Sequence, residues 1–222
     1  VPNGTKLGGE ATPVTISELF EFNGKKQESL EKFGDQKDWN IDMIPKILMT
    51  NSPLQKLFSI TDIFHYIEWK NISGSFIYQY DKGGMFSDPK GVIYRVPSNE
   101  NEISDSKLFG IFERNRCKSF FQFIDKFSEF ENNSNMNLND SFKNVISNFN
   151  LEPNTIEYIC HALALYTSND NFDKPAINTI RRIKRYIGGI EKNTTTPFIY
   201  PIWGLERIYK NYHRQLELYE TK

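Results

Sequence analysis

From residue 99 to residue 187, apolar side chains recur at helical spacing in one stripe after another. That pattern restricts the segment to short helices packed on a shared core. Leu108, Ile111 and Phe112 make the first stripe. Phe120, Phe121, Ile124 and Phe127 make a second, at i, i+1, i+4 and i+7. Phe142, Val145, Ile146 and Phe149 mark a third helix, with Asn139 as its expected cap and Asp140 in its first turn. Pro153 opens a fourth, carrying Ile156, Ile159, Cys160, Leu163 and Ala164. Asp173 with Pro175 opens a fifth, carrying Ile177, Ile180, Ile183 and Ile187, and Gly188-Gly189 ends it. The chain holds 18 Phe in 222 residues. Phenylalanine buries a large apolar area with no polar handle, so this surface either fills a core or partly lines an apolar pocket.

The flanks read differently. Ile16 to Phe22 is a short helix with Thr15 as its N-cap, followed by a charged, loop-like stretch to Lys37. In Asp38-Trp39-Asn40-Ile41-Asp42, both Asn40 and Asp42 can accept hydrogen bonds from free N–H groups at a helix start, and Pro45 suits a first turn. A helical pattern over Met43–Thr50 is therefore expected, then another opened by Ser52-Pro53. Between 62 and 97 the period changes to two: Ser75–Tyr80 and Val92–Val96 alternate on either side of a turn signal, a hairpin with its tip at 81–91. Residues 190–205 carry large apolar residues without a period and read as loop, and 206–222 as helix. The fold class is α+β. The expected divisions are 1–98, a partial sheet domain with the hairpin; 99–187, a helical domain; 188–205, a loop; and 206–222, a C-terminal helix.

Composition excludes several classes. Net charge is -1 with a pI near 6.4, which gives no electrostatic footprint for nucleic acid. Mean hydropathy is -0.55 and no apolar run is long enough to cross a bilayer. No secretory leader is visible, and a chain that begins with Val is read as cut at its start. Cys117 and Cys160 lack CxxC spacing and are expected to be reduced, buried thiols of a cytosolic protein. No glycine-rich dinucleotide turn, P-loop, HExxH or GxSxG occurs, so neither a cofactor nor a metal is expected. His65, His161 and His213 are scattered; His161, on an apolar helix, is expected to be a satisfied core residue. The basic run Arg181-Arg182-Ile183-Lys184-Arg185 is either a solvated helix face or a patch that meets acidic protein or lipid headgroups.

Four blocks, in order, resemble the Rab GDP dissociation inhibitors and their relatives, the Rab escort proteins. They are Lys37 through Met49; Gly74 through Tyr78 with Tyr94 through Ser98; Phe112 through Phe120; and His161 through Tyr166 with Asp173-Lys174-Pro175 and Pro197 through Pro201. His161 through Tyr166 look more like the dissociation inhibitors than the escort proteins.

The resemblance implies a mainly helical, prenyl-accepting domain attached to a sheet domain related to flavin-dependent oxidases, here incomplete, in a protein that is not an enzyme. It implies Rab binding by Leu7, Gly8, Gly9, Glu10, Lys37, Asp38, Trp39 and Asn40. At position 7 the family has a tyrosine. It implies a prenyl site at Phe112, Phe120, Phe121, Ile124, Ile159, Cys160, Leu163 and Ala164, although the same residues can simply pack one another. Loop 188–205 resembles a mobile effector loop, with Lys192, Thr196, Pro197, Phe198, Tyr200 and Trp203. After Leu205 the family continues into more sheet, whereas this chain passes straight to a segment like the family's last helix, so the chain is expected to be a set of pieces of a longer protein. The partners implied are GDP-bound, prenylated Rab GTPases and their geranylgeranyl lipid, with transient membrane contact, no nucleic acid, and a cytoplasmic location. At ~0.8 kcal/mol per buried CH₂, an anchor of roughly twenty carbons is worth on the order of 10 kcal/mol, so a carrier must offer it a pocket about as apolar as lipid. The alternatives are an escort protein, a degenerate flavin-dependent oxidoreductase, and a helical interaction module with no lipid site.

Overall fold

The computed structural model describes residues 14–24, 30–35, 39, 41–81, 90–127, 139–190 and 195–202. The chain divides into two compact units, residues 1–72 with 198–222, and residues 73–197.

In the first unit, α1 (Ile16–Phe22) starts where expected. The Thr15 side chain accepts from the Glu18 N–H at 3.2 Å while the Glu18 carboxylate accepts from the Thr15 N–H at 2.7 Å, a reciprocal cap. Helix α2 (Pro53–Ile60) is likewise capped by Ser52, with proline in its first turn. The expected helix over 43–50 does not form. Asp42 does accept the Ile44 N–H, at 3.0 Å, but the chain leaves this turn extended and Leu48–Met49 becomes strand β1. A three-stranded sheet sets the outcome. Its centre is β5 (Phe198–Pro201), paired antiparallel with β1 on one side and with β2 (Trp69–Asn71) on the other. Segment 198–201, expected as loop, is therefore a strand. Its period-two burial is plain only in place, where Ile199 and Pro201 are buried and Phe198 and Tyr200 half-buried. Phe64 and Tyr66, at the start of the 62–97 stretch where a period of two was expected, lie in a short 3₁₀ turn, Ile63–Tyr66.

The second unit holds the hairpin of β3 (Phe76–Asp81) and β4 (Lys90–Arg95), in the register Phe76 opposite Arg95 and Tyr80 opposite Gly91. A Cβ at Gly91 would meet the far end of the Tyr78 ring at 2.4 Å, so a side chain there would require that exposed tyrosine to swing aside. The hairpin lies in the same compact unit as the helices, which begins at residue 73. The Val96 N–H donates to the Ser75 carbonyl, and the buried Tyr158 hydroxyl donates to the Pro97 carbonyl.

Among the described residues five α-helices follow: α3 (Glu100–Asp105), α4 (Ile111–Lys126), α5 (Phe142–Ser147), α6 (Pro153–Tyr158) and α7 (Ala176–Gly188). Helix α5 is capped by Ser141, two residues after the expected Asn139; the Ser141 hydroxyl accepts the Asn144 N–H. Helix α6 runs on into a π-helical turn, Ile159–Leu163, which ends at Leu165 with φ +55°. The core is Phe120, Ile124, Phe142, Ile159, Leu163, Ile180, Ile183 and Tyr186, each at most 1 % exposed. No helix among the described residues is long and apolar enough to cross a membrane.

Candidate functional site

Helix α4 turns Glu113, Cys117, Phe120, Phe121 and Ile124 inward, at i, i+4, i+7, i+8 and i+11. Phe120 sits against Phe149 edge-on at 5.3 Å and beside Phe121 and Phe123 at 6.3 Å. From the other wall come Ile159, Cys160, Leu163 and Ala164, all buried. Seven of the eight residues expected to line a prenyl site are thus in the helical core. The eighth, Phe112, is 82 % exposed and stands outside that core. It lies one residue off the inward stripe, on the face of Arg116 and Ser119, so its own helical phase turns it to solvent.

A groove of about 590 Å³ opens where α3, α4 and α7 meet. Phe121, Ile124 and Ile187 provide its apolar surface; Asn99, Glu100, Asp125 and Lys184 make a polar rim. Its volume is in the range of small-molecule sites. The rim is tied down. The Gln122 amide donates to Glu100 at 3.0 Å, joining α4 to α3, and the Lys184 amine donates to the Phe127 carbonyl at the end of α4. The Ser98 N–H and hydroxyl both donate to Glu102, at 2.8 and 2.9 Å. Of the expected residues, Phe121 and Ile124 reach this groove. Ile187 was visible in the sequence as the last member of its stripe. The contribution of 98–101 was not, since nothing local places a helix start beside α7.

Buried polar groups brace the bundle. Glu113, 1 % exposed, accepts from the Arg116 Nε at 2.6 Å and from the Glu152 N–H, the cap of α6, at 2.8 Å. Arg116 also donates to the Glu152 carboxylate at 3.0 Å. Burial pushes the Cys117 thiol up to about 12, helped by the Glu113 charge, and burial alone pushes Cys160 to about 12. Both are free thiols. His161 is exposed rather than core, yet both ring nitrogens are engaged, with the Tyr166 carbonyl at 2.7 Å and the Asn169 Oδ1 at 2.9 Å. Among the described residues no cluster of three or more His, Cys, Asp or Glu could hold a metal ion.

The thiols carry a prediction. The unfolded thiol ionises near 9, so above that pH the unfolded chain has lost protons that the native chain keeps, and stability falls between about pH 9 and 12. At pH 10 the wild type should lose about 3 kcal/mol more than a Cys117→Ala/Cys160→Ala variant, relative to pH 7.5, in denaturant titrations. Equal losses would show that the thiols are not shielded.

In the first unit, Trp39 is pinned: its indole N–H donates to the Phe33 carbonyl at 2.7 Å and its ring stands edge-on to Phe33 at 6.1 Å. The Tyr200 hydroxyl donates to Asp42 at 3.0 Å. Burial raises that phenol to about 12, with the Asp42 hydrogen bond and charge adding to it. Thr196 and Pro197 are buried and Phe198 half-buried. Leu7, Gly8, Gly9, Glu10, Lys37, Asp38, Asn40, Lys192 and Trp203 lie outside the described residues, as does the expected helix 206–222.

Fold and groove together define a two-unit protein of mixed helix and sheet whose helical unit offers an apolar, ligand-sized hollow. The sequence profile of the family described as GDP dissociation inhibitor matches residues 3–221. The chain is 35 % identical over 219 residues to the Rab GDP-dissociation inhibitor of Saccharomyces cerevisiae, across 96 % of this chain and 46 % of that protein. It is 36 % identical over 220 residues to the Rab GDP-dissociation inhibitor of Pyricularia oryzae, with the same coverages. A crystal structure of Rab GDI from Plasmodium falciparum superposes with a TM-score of 0.85 at 32 % identity, over 95 % of this chain and 48 % of that one. This chain belongs to the GDP dissociation inhibitor family. It spans about half the length of the relatives it matches.

Proposed function

We propose that this chain acts in a Rab GDP dissociation inhibitor: it shelters the geranylgeranyl anchor of a GDP-loaded Rab, slows GDP release, and draws the G protein off membranes for recycling. The groove between α3, α4 and α7 carries the reading. It pairs an apolar floor of Phe121, Ile124 and Ile187 with a polar rim, the surface a lipid chain needs if it is to leave a bilayer for water. The neighbouring stripe of Ile159, Cys160, Leu163 and Ala164 would extend this shelter by rearrangement of the small side chains at 160 and 164. Residues 7–10 and 37–40 bind the Rab, and the strand at 198–201 belongs to the effector segment. Unit 1 is read as part of a sheet domain of the flavin-oxidase type.

The action is non-covalent. Preference for the GDP form slows nucleotide release by linkage, because whatever binds one state better shifts the balance towards it. The protein works from the cytoplasm with transient membrane contact and needs no catalytic group. Its relatives' names favour this over the escort role.

Ile187 is the test position, since it lines the groove and is only half-buried. The chain should take up a fluorescent geranylgeranylated cysteine peptide and release GDP-loaded, but not GTP-loaded, prenylated Rab from liposomes. Ile187→Trp should weaken peptide uptake at least tenfold with an unchanged melting curve. Unaltered uptake would remove the groove from the mechanism.

A further inference from the structure

Strand β3 is paired on one side only. Among the described residues it forms a two-stranded sheet with β4, and its outer edge meets no third strand. The Val96 N–H donates to the Ser75 carbonyl, and Phe76 stands opposite Arg95. Bonded pairs alternate along an antiparallel ladder, so Ile77 with Tyr94 and Gln79 with Val92 exchange hydrogen bonds. The N–H and C=O groups of Phe76, Tyr78 and Tyr80 therefore point to the outer edge, where none has a backbone partner among the described residues. A groove of about 400 Å³ runs along that edge, with Phe76 through Gln79 on one side and Leu108 and Ala162 on the other.

The large side chains leave this edge open. Phe76, Tyr78 and Tyr80 are each more than half exposed; the Phe76 ring folds back over Gly74 and the Tyr78 ring over Gly91. From 76 to 80 the strand reads Phe-Ile-Tyr-Gln-Tyr, with no charge, proline or glycine. A bare edge of this kind is a template for another strand, and sheets ordinarily block it with charge, proline or a bulge. The outer edge of β4 is blocked in that way, with Lys90 and Arg95 at its ends and Gly91 inside. The β3 edge is not. It is also complementary to itself. A two-fold axis through Tyr78 sets Tyr78 against Tyr78 of a second copy, and Phe76 against its Tyr80. All three pairs so formed can exchange both hydrogen bonds, no like charges meet, and the aromatic side chains make one continuous row on the exposed face.

We propose that β3 is a dimerisation edge: two copies of this chain pair antiparallel through Phe76–Tyr80 and join their hairpins into one four-stranded sheet. A two-stranded hairpin is marginal by itself, and a sheet of three or more strands is not. The contact uses the same patch on both copies, so it closes at two. It draws on neither the lipid groove nor the Rab reading and stands or falls without them.

Sedimentation equilibrium of the 222-residue chain over a range of concentrations tests this. The mass should rise from 26.0 kDa towards twice that value. Tyr78→Pro spares the β3–β4 bonds, because that N–H points outward, and should weaken the dimer about thirtyfold by removing the two hydrogen bonds at the axis. Tyr78→Lys sets like charges against each other and should weaken it about tenfold. Ile93→Lys, which puts the same charge on the same face of β4, should leave it unchanged. Mixing the Tyr78→Lys and Tyr78→Glu variants should restore association, since this register brings position 78 against itself. Melting curves show that each variant is folded; if Tyr78→Pro melts early, the charged pair serves alone. A mass fixed at 26.0 kDa at every concentration would overturn the pairing. So would a dimer indifferent to Tyr78→Lys, or a mixture of the two charged variants that stays monomeric. Binding of an added peptide of alternating valine and threonine to a chain that itself stays monomeric would give the edge to an extended partner segment and overturn the second copy.

Discussion

Phe120→Ala should destabilise the helical unit by about 4 kcal/mol, lowering its melting temperature on the order of 15 °C. Phe120 is fully buried and its ring contacts Phe121, Phe123 and Phe149, so truncation loses the transfer energy of a benzyl group and leaves a cavity that the rigid α4–α7 framework can only partly fill. The measurement separates two roles for the phenylalanine stripe. A core residue costs this much whether or not a lipid is present. A residue lining an openable cleft is already partly relieved of packing, so its truncation should cost well under half as much and act mainly on lipid uptake. A loss below about 1.5 kcal/mol in thermal or denaturant unfolding would return Phe120 to the pocket.

Glu113→Ala should cost about 3 kcal/mol, seen as a melting temperature lower by on the order of 10 °C. Two groups lose an acceptor at once. The Arg116 guanidinium keeps only its 3.0 Å contact with Glu152, and the Glu152 N–H at the start of α6 is left without its partner. Arg116 is partly exposed, and water recovers some of its solvation, which keeps the figure at the low end for broken buried ion pairs. Glu113→Gln keeps the shape and an acceptor for the α6 cap and should lose about half as much. If both variants melted like the wild type, the carboxylate would not be what fastens α4 to α6.

The contrast between these two residues shows what was legible. Phe120 stood out in the sequence through its stripe, though whether it faced a lipid or its neighbours did not. Glu113 gave no signal, because its partner Glu152 is 39 residues away. Similar reasons explain the other differences. The pair Asp42 and Pro45 has the local chemistry of a helix start, yet Leu48 and Met49 pair with residues 198 and 199, and long-range ladder bonds outweigh local propensity. Phe112 could have been assigned to the outer face from helical phase alone, since Arg116 and Ser119 share it. Residues 98–101 at the groove rim, and the open outer edge of β3, needed the fold.

By itself the sequence determined the helix starts at Thr15 and Ser52, the β3–β4 hairpin, the inward stripes of α4 through α7, and the blocks that mark the family. Each of these is written within a dozen residues, where spacing and capping chemistry act directly. Only the tertiary structure decided that 198–201 is a central strand, that most of the phenylalanine stripe is sealed in packing, and that the open groove lies at the junction of α3, α4 and α7. Burial and strand pairing are set by segments far apart in the chain, and no local period encodes which of two apolar faces will meet a neighbour and which will be left open.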